Sequence, residues 1–245
     1  MQDIVCTVVE NMAIAKDTYH MSLMGSFTES LRPGQFINVS IDGQYLRRPV
    51  SIFNVRHNVI EIIYKVVGVG TDILSKKTQG DTLDTLVGLG NGYDLSKSGD
   101  HPLLIGGGVG VPPLYLLAKE LLKEHKTVSV VLGFNSKDDV FYAERFKDLG
   151  CADVTVTTVD GSVGIKGFVT DALPENYTYV YTCGPEPMLK AVYKAMKTSG
   201  QFSFEERMGC GFGACMGCSC KTVTGNKRIC REGPVLEKEE ILWEG

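Results

Sequence analysis

Up to about residue 98 the apolar positions fall in short β-rich runs at 4–9, 18–24, 35–41, 49–55 and 59–67. Turn signals separate them: Arg32-Pro33-Gly34, Asp42-Gly43 and His57-Asn58. Short strands in series predict an antiparallel β-barrel or sandwich. Near His101 the period changes. An apolar run at 102–105 ends in Gly106-Gly107-Gly108, and helical spacing follows over 113–124. Then come a strand at 127–132, a short helix at 139–149, a strand at 154–159, a helical turn at 167–173, a strand at 179–182 and a helix at 187–198. Strand–helix alternation predicts a parallel sheet with helices on both faces. From residue 202 the chain turns to Gly and Cys with little periodicity. The expected order is a barrel domain at 1–98, an α/β domain at 99–201 and a small module at 202–245, with no internal repeat.

Composition adds limits. The chain has 245 residues, 43% of them hydrophobic, enough for a sizeable core. Net charge is -4 with no basic stripe, which argues against a nucleic-acid partner. Residues 1–10 lack the basic start and apolar run of a secretory signal. The most apolar stretch, 102–118, is broken by three consecutive glycines and a Pro-Pro pair and is too short for a bilayer. The expectation is a soluble, cytoplasmic protein with no membrane association.

Five of the eight cysteines crowd into residues 210–230. A small secreted scaffold would spread them along the chain; clustering points to a metal. Cys210, Cys215, Cys218 and Cys230 have the spacing C-x4-C-x2-C-x11-C, whose first three positions match the plant-type [2Fe–2S] arrangement. Gly209, Gly211, Gly213, Ala214 and Gly217 leave room for a loop to wrap a cluster, with free N–H groups to bond its sulfurs. Structural zinc usually pairs two C-x2-C knuckles, and only one is present. Cys220 could replace Cys218 as ligand, but the spacing favours Cys218 and leaves Cys220 a free thiol.

Four further segments carry candidate chemistry. In Arg48-Pro49-Val50-Ser51 the Arg and Ser could both reach one phosphate, and the Gly68-Val69-Gly70-Thr71 turn could set backbone N–H groups against a pyrophosphate. Gly106 to Pro113 follows a strand and opens a helix, so a dinucleotide can approach Gly107, Gly108 and Gly110 with its phosphates at the helix N-terminus. Thr182-Cys183-Gly184-Pro185 stands likewise between strand and helix. After the next strand Lys137 is alone and Asp138-Asp139 follow, which favours NAD over NADP.

The order of these segments resembles ferredoxin-reductase-like flavoproteins over the first two hundred residues. By that resemblance Arg48, Pro49, Val50, Ser51, Ile63, Tyr64, Lys65, Gly70 and Thr71 contact FAD, and Cys183, Gly184 and Pro185 lie near the nicotinamide. The tail narrows the family. Glu205-Glu206-Arg207-Met208-Gly209-Cys210-Gly211-Phe212-Gly213-Ala214-Cys215, Cys218-Ser219-Cys220 and Cys230-Arg231-Glu232-Gly233-Pro234-Val235 resemble the electron-transfer subunits of class 1B dihydroorotate dehydrogenase. So do Leu46 to Ser51 and Leu89-Gly90-Asn91-Gly92. The segment between Cys220 and Cys230 is shorter than the family leads one to expect. The resemblance implies an FMN-bearing dihydroorotate dehydrogenase catalytic subunit as partner, in a heterotetramer of two of each. Electrons would pass from FMN through the [2Fe–2S] cluster and FAD to NAD in pyrimidine synthesis. FAD belongs between the others because it handles both single electrons and hydrides. The rival readings are the small subunit of an NADPH:ferredoxin transhydrogenase or sulfide dehydrogenase, where Asp is expected in place of Cys210, and an oxygenase reductase component. A redox-sensing module without turnover is a third.

Overall fold

In the strand Val59–Lys65, successive residues turn to two different cores. Ile60, Ile62 and Tyr64 pack inside a barrel, while Ile63 joins the core of the neighbouring sheet domain. Burial on both faces explains why this strand reads as a nearly unbroken apolar run. The computed structural model describes residues 1–28 and 30–243. Its first part is a closed six-stranded antiparallel barrel made of β1 (Gln2–Ala15), β2 (Thr18–Met24), β3 (Phe36–Val39), β4 (Arg48–Arg56), β5 (Val59–Lys65) and β6 (Thr82–Leu89), in the order β1-β2-β5-β4-β3-β6. A short helix, α1 (Val69–Ser75), lies between β5 and β6.

Two elements here have no counterpart in the sequence reading. Helix α1 stands where a glycine-rich turn was expected. Gly70 lowers its intrinsic propensity, and its last carbonyls are held from outside: the Asn11 amide donates to the carbonyls of Leu74 and Ser75, at 3.1 and 3.2 Å. Strand β6 closes the barrel by pairing with both β1 and β3.

The second part is a seven-stranded sheet. It contains β7 (Pro102–Gly107), β8 (Ser129–Phe134), β9 (Asp153–Thr158), β10 (Ile165–Lys166), β11 (Tyr179–Cys183) and β12 (Gly200–Ser203), all parallel, and β15 (Val235–Glu237), which runs antiparallel to β12. The order is β10-β9-β8-β7-β11-β12-β15. Alternation splits its side chains between two faces. Leu104, Val130, Leu132 and Tyr181 meet α2 (Pro112–Lys123) and α3 (Ala143–Leu149). Leu103, Ile105, Val131 and Val180 meet α4 (Glu186–Ala195).

The tail is more ordered than its composition suggests. A hairpin of β13 (Ser219–Thr222) and β14 (Gly225–Arg228) precedes β15. The pairing of β12 with β15 stitches the module onto the sheet across the expected boundary at 201/202. Asn91, in the loop after β6, clamps the same segment. Its amide donates to the carbonyls of Glu232 (3.1 Å) and Val235 (2.7 Å), and its own oxygen accepts from the Val235 N–H (3.1 Å). No helix among the described residues is long and apolar enough to cross a membrane.

Candidate functional site

Strand order in the sheet reverses between β7 and β11, since β8 lies outside the first and β12 outside the second. Ligands of such sheets bind beyond the carboxyl ends of the strands at that reversal. The two glycine turns meet there. A Cβ built on Gly110 would lie 2.3 Å from the Cys183 carbonyl oxygen, and one built on Gly184 would lie 3.2 Å from the Gly107 nitrogen. Gly107, Gly108 and Pro185 line a cleft of about 470 Å³, whereas Gly110, Cys183 and Gly184 do not line it and are packed where the two turns meet. The cleft also takes in residues the sequence did not mark: Asn135 and Thr157 from the ends of β8 and β9, Phe168, and Thr18 from the barrel. The rule that ligands sit at strand ends would have found the first two. Thr157 fits a polar ligand: its hydroxyl is buried and has no hydrogen-bond partner. The Cys183 thiol is pushed up to about 12 by burial, reinforced by the charge of Glu205.

The flavin candidates divide. Arg48 and Gly70 come together, for a Cβ on Gly70 would lie 2.4 Å from Arg48 Nε. The guanidinium donates to Gln44 Oε1 at 3.0 Å and to the Leu46 carbonyl. Strand alternation turns Ser51 to the face opposite Arg48. Pro49 is half-buried and Val50 belongs to the barrel core. The Thr71 hydroxyl is engaged at the start of α1, accepting from the Val67 N–H at 2.9 Å. Ile63 is buried in the interdomain core. The Tyr64 hydroxyl donates to Asn11 Oδ1 at 2.9 Å, and its ring stacks on Tyr19. Lys65 lines the cleft at the strand-order reversal, paired with Asp139 at 3.2 Å.

The four candidate ligand cysteines form two pairs. The Cys210 N–H donates to Cys215 Sγ and the Cys230 N–H to Cys218 Sγ, both at 3.4 Å. Among the described residues no three His, Cys, Asp or Glu side chains gather as one metal ion requires. Two pairs suit a two-iron cluster, with two thiolates to each iron, better than a single tetrahedral zinc. Burial pushes the Cys210 thiol up, but backbone N–H groups of Cys215, Phe212 and Ala214 outweigh it and bring the thiol down to about 6. That favours the thiolate, the form that binds metal. Burial pushes the Cys230 thiol up to about 12, with Cys218 and then Cys210 adding to the rise. Gly211 and Gly213 have φ of 79° and 91°, the left-handed region glycine tolerates. Arg228 braces the loop, donating to the Gly213 carbonyl (2.6 Å) and to Glu232 (2.8 Å). The loop rests on the barrel, where the Asn38 amide donates to the Cys210 carbonyl at 3.4 Å. Cys220 lies in β13 and lines a different crevice, with Gly184, Glu205 and Trp243.

A closed barrel beside a doubly wound sheet, with a glycine cleft at its switch point and a four-cysteine loop against the barrel, defines an oxidoreductase of the ferredoxin-reductase type. Comparison with known proteins agrees. The chain is similar to one in the structure of the NADH-dependent reduced ferredoxin–NADP oxidoreductase, with a TM-score of 0.87 and 31% identity over 97% of this chain and 90% of that one. The oxidoreductase NAD-binding domain matches residues 104–194, and the iron–sulfur cluster binding domain of dihydroorotate dehydrogenase B matches 205–242. The electron transfer subunit of dihydroorotate dehydrogenase B (NAD(+)) from Fusobacterium nucleatum is 47% identical over 96% of this chain and 97% of the relative. Its counterpart from Bacillus pumilus is 46% identical, over 96% of each. The chain belongs to the family of dihydroorotate dehydrogenase B electron-transfer subunits. It is an oxidoreductase subunit whose cofactors are an iron–sulfur cluster, FAD and NAD.

Proposed function

We propose that this chain serves an FMN-bearing dihydroorotate dehydrogenase subunit in the cytoplasm, in an assembly of two of each, and links dihydroorotate oxidation to NAD in pyrimidine synthesis. When bound, the cluster relays single electrons and FAD converts pairs of them into a hydride for NAD. The protein's part is placement. Arg48 and Gly70, with Thr71, hold one end of the flavin, while Pro49, Val50 and Ser51, with the strand Ile63-Tyr64-Lys65, carry the rest. Gly107, Gly108, Gly110, Cys183, Gly184 and Pro185 form the dinucleotide floor. Cys210, Cys215, Cys218 and Cys230 are the cluster ligands. The division at 1–98, 99–201 and 202–245 follows these three duties.

One observation carries this reading: the cluster loop sits on the barrel through Asn38 and Cys210. That contact brings the cysteine pairs to the domain that would hold the flavin. Cys215 is exposed, and so are Phe212 (42%) and Met216 (54%) in the same loop. An apolar, thinly covered rim of this kind suits a partner that must come within tunnelling distance. The test is reconstitution with the catalytic subunit. Wild-type chain should support dihydroorotate oxidation by NAD+, and Cys215→Ala should abolish it while NADH-driven dye reduction persists. Full NAD-linked oxidation by Cys215→Ala would refute the route.

A further inference from the structure

The segment 135–142, between β8 and α3, has two sides with two different neighbours. On one side Asn135, Asp139 and Phe141 line the dinucleotide cleft. On the other the segment grips the barrel. The Asp138 carbonyl accepts from the Lys16 N–H at 2.9 Å, Asp139 pairs with Lys65, and the Tyr142 hydroxyl is hydrogen-bonded to His20 Nδ1 at 2.6 Å. Tyr142 has φ 54°, a left-handed conformation that a residue with a side chain adopts at a cost. Its surroundings show what holds it there. The ring stands edge-on to His20 and tilted against Phe53 of the barrel, with the Arg145 guanidinium 3.9 Å from its centre. His20 is only 4% exposed. Its Nε2 lies 3.5 Å from Glu61, which in turn pairs with Arg56 at 2.7 Å. The chain Tyr142–His20–Glu61 therefore starts beside the cleft-lining Phe141 and runs along the face of β2 and β5 that is turned away from the barrel interior.

We propose that Tyr142 is a positioning residue. Through His20 it fixes the cleft-lining segment against the barrel, so that dinucleotide affinity depends on a contact outside the cleft. This rests on reading the cleft as the NAD site. A link of this kind is reciprocal: what orders segment 135–142 for the dinucleotide also tightens the seam, and the reverse. A purely structural seam would affect stability alone.

The test uses the oxidised holoenzyme and NAD+ titrated by calorimetry. Tyr142→Phe should retain its FAD and weaken NAD+ binding about five- to tenfold, the scale of a buried partner left unpaired. His20→Gln should do the same, and the double variant should be no worse than either single one, because both remove one link. Lys119→Met is the control. Lys119 crosses the same seam from α2, donating to Asn54 Oδ1 at 3.0 Å, and Asn54 meets the Glu61 end of the chain, beyond the Tyr142–His20 link. It should lower Tm and leave the NAD+ Kd unchanged. A wild-type Kd in Tyr142→Phe, or equal weakening in Lys119→Met, would overturn the proposal. Absence of NAD+ binding by the wild type would instead overturn the functional reading beneath it.

Discussion

Replacing Gly110 with Ala tests the meeting of the two glycine turns directly. The added Cβ would lie 2.3 Å from the Cys183 carbonyl oxygen, 2.5 Å from its carbonyl carbon and 2.6 Å from Gly184 Cα. A comfortable carbon–oxygen contact is about 3.3 Å, so the start of α2 and the end of β11 must part by about an ångström. All three obstacles are backbone, and no rotamer change relieves them. Overpacking of this sort costs about 1–3 kcal/mol, or roughly 2–12 °C in Tm for a chain of this size. The displacement falls at the floor of the cleft, where an ångström is enough to lower turnover by about 10²-fold. The comparison is Gly107→Ala, whose Cβ would meet Met188 Sδ at 2.4 Å. That obstacle is a flexible thioether that can swing aside, which leaves a 3.2 Å contact with Pro185 Cδ, so this variant should lose less Tm than Gly110→Ala. Melting curves and NADH-driven dye reduction of both variants decide the matter. If Gly110→Ala matched the wild type in both, the close approach of the turns would not control the site.

Two further outcomes follow from the cysteine pairs and from the seam. Replacing any one of Cys210, Cys215, Cys218 or Cys230 with Ala should bleach the cluster's visible absorbance and lower bound iron, whereas Cys220→Ala should keep both; the reverse behaviour of Cys218 and Cys220 would sink the assignment. Burial alone would raise the Glu61 carboxyl, but His20, Arg56 and Asn54 together hold it below the usual 4.5. Its stabilisation is therefore complete above pH 4.5 and is lost as pH falls through the lower folded value. The stability gap between wild type and Glu61→Gln in urea should shrink on acidification, and a gap constant between about pH 6 and 3 would count against this.

Local pattern carried much of the molecule. The cysteine spacing marked the cluster loop because a loop that wraps a small inorganic group takes most of its ligands from neighbouring residues. The glycine turns were legible for a similar reason: each joins a strand to the helix that follows it. The run at 18–24 coincides with β2 because its pattern of buried and exposed positions is local. Other features depended on partners far away in the chain. Helix α1 forms with Gly70 inside it and Gly68 at its N-cap, and Asn11 supplies a cap from 63 residues away. The helix expected over 139–149 is instead a 3-10 turn at Lys137–Asp139 followed by α3, with Tyr142 between them drawn towards His20, 122 residues distant in sequence. The tail gave no periodic signal because β12 and β15 are short strands that exist by pairing, β12 with β11 and β15 with β12. Sequence alone thus determined which chemistry each segment could offer. Only the tertiary structure decided which groups share a site, because that depends on contacts between residues whose separation along the chain says nothing of their distance in space.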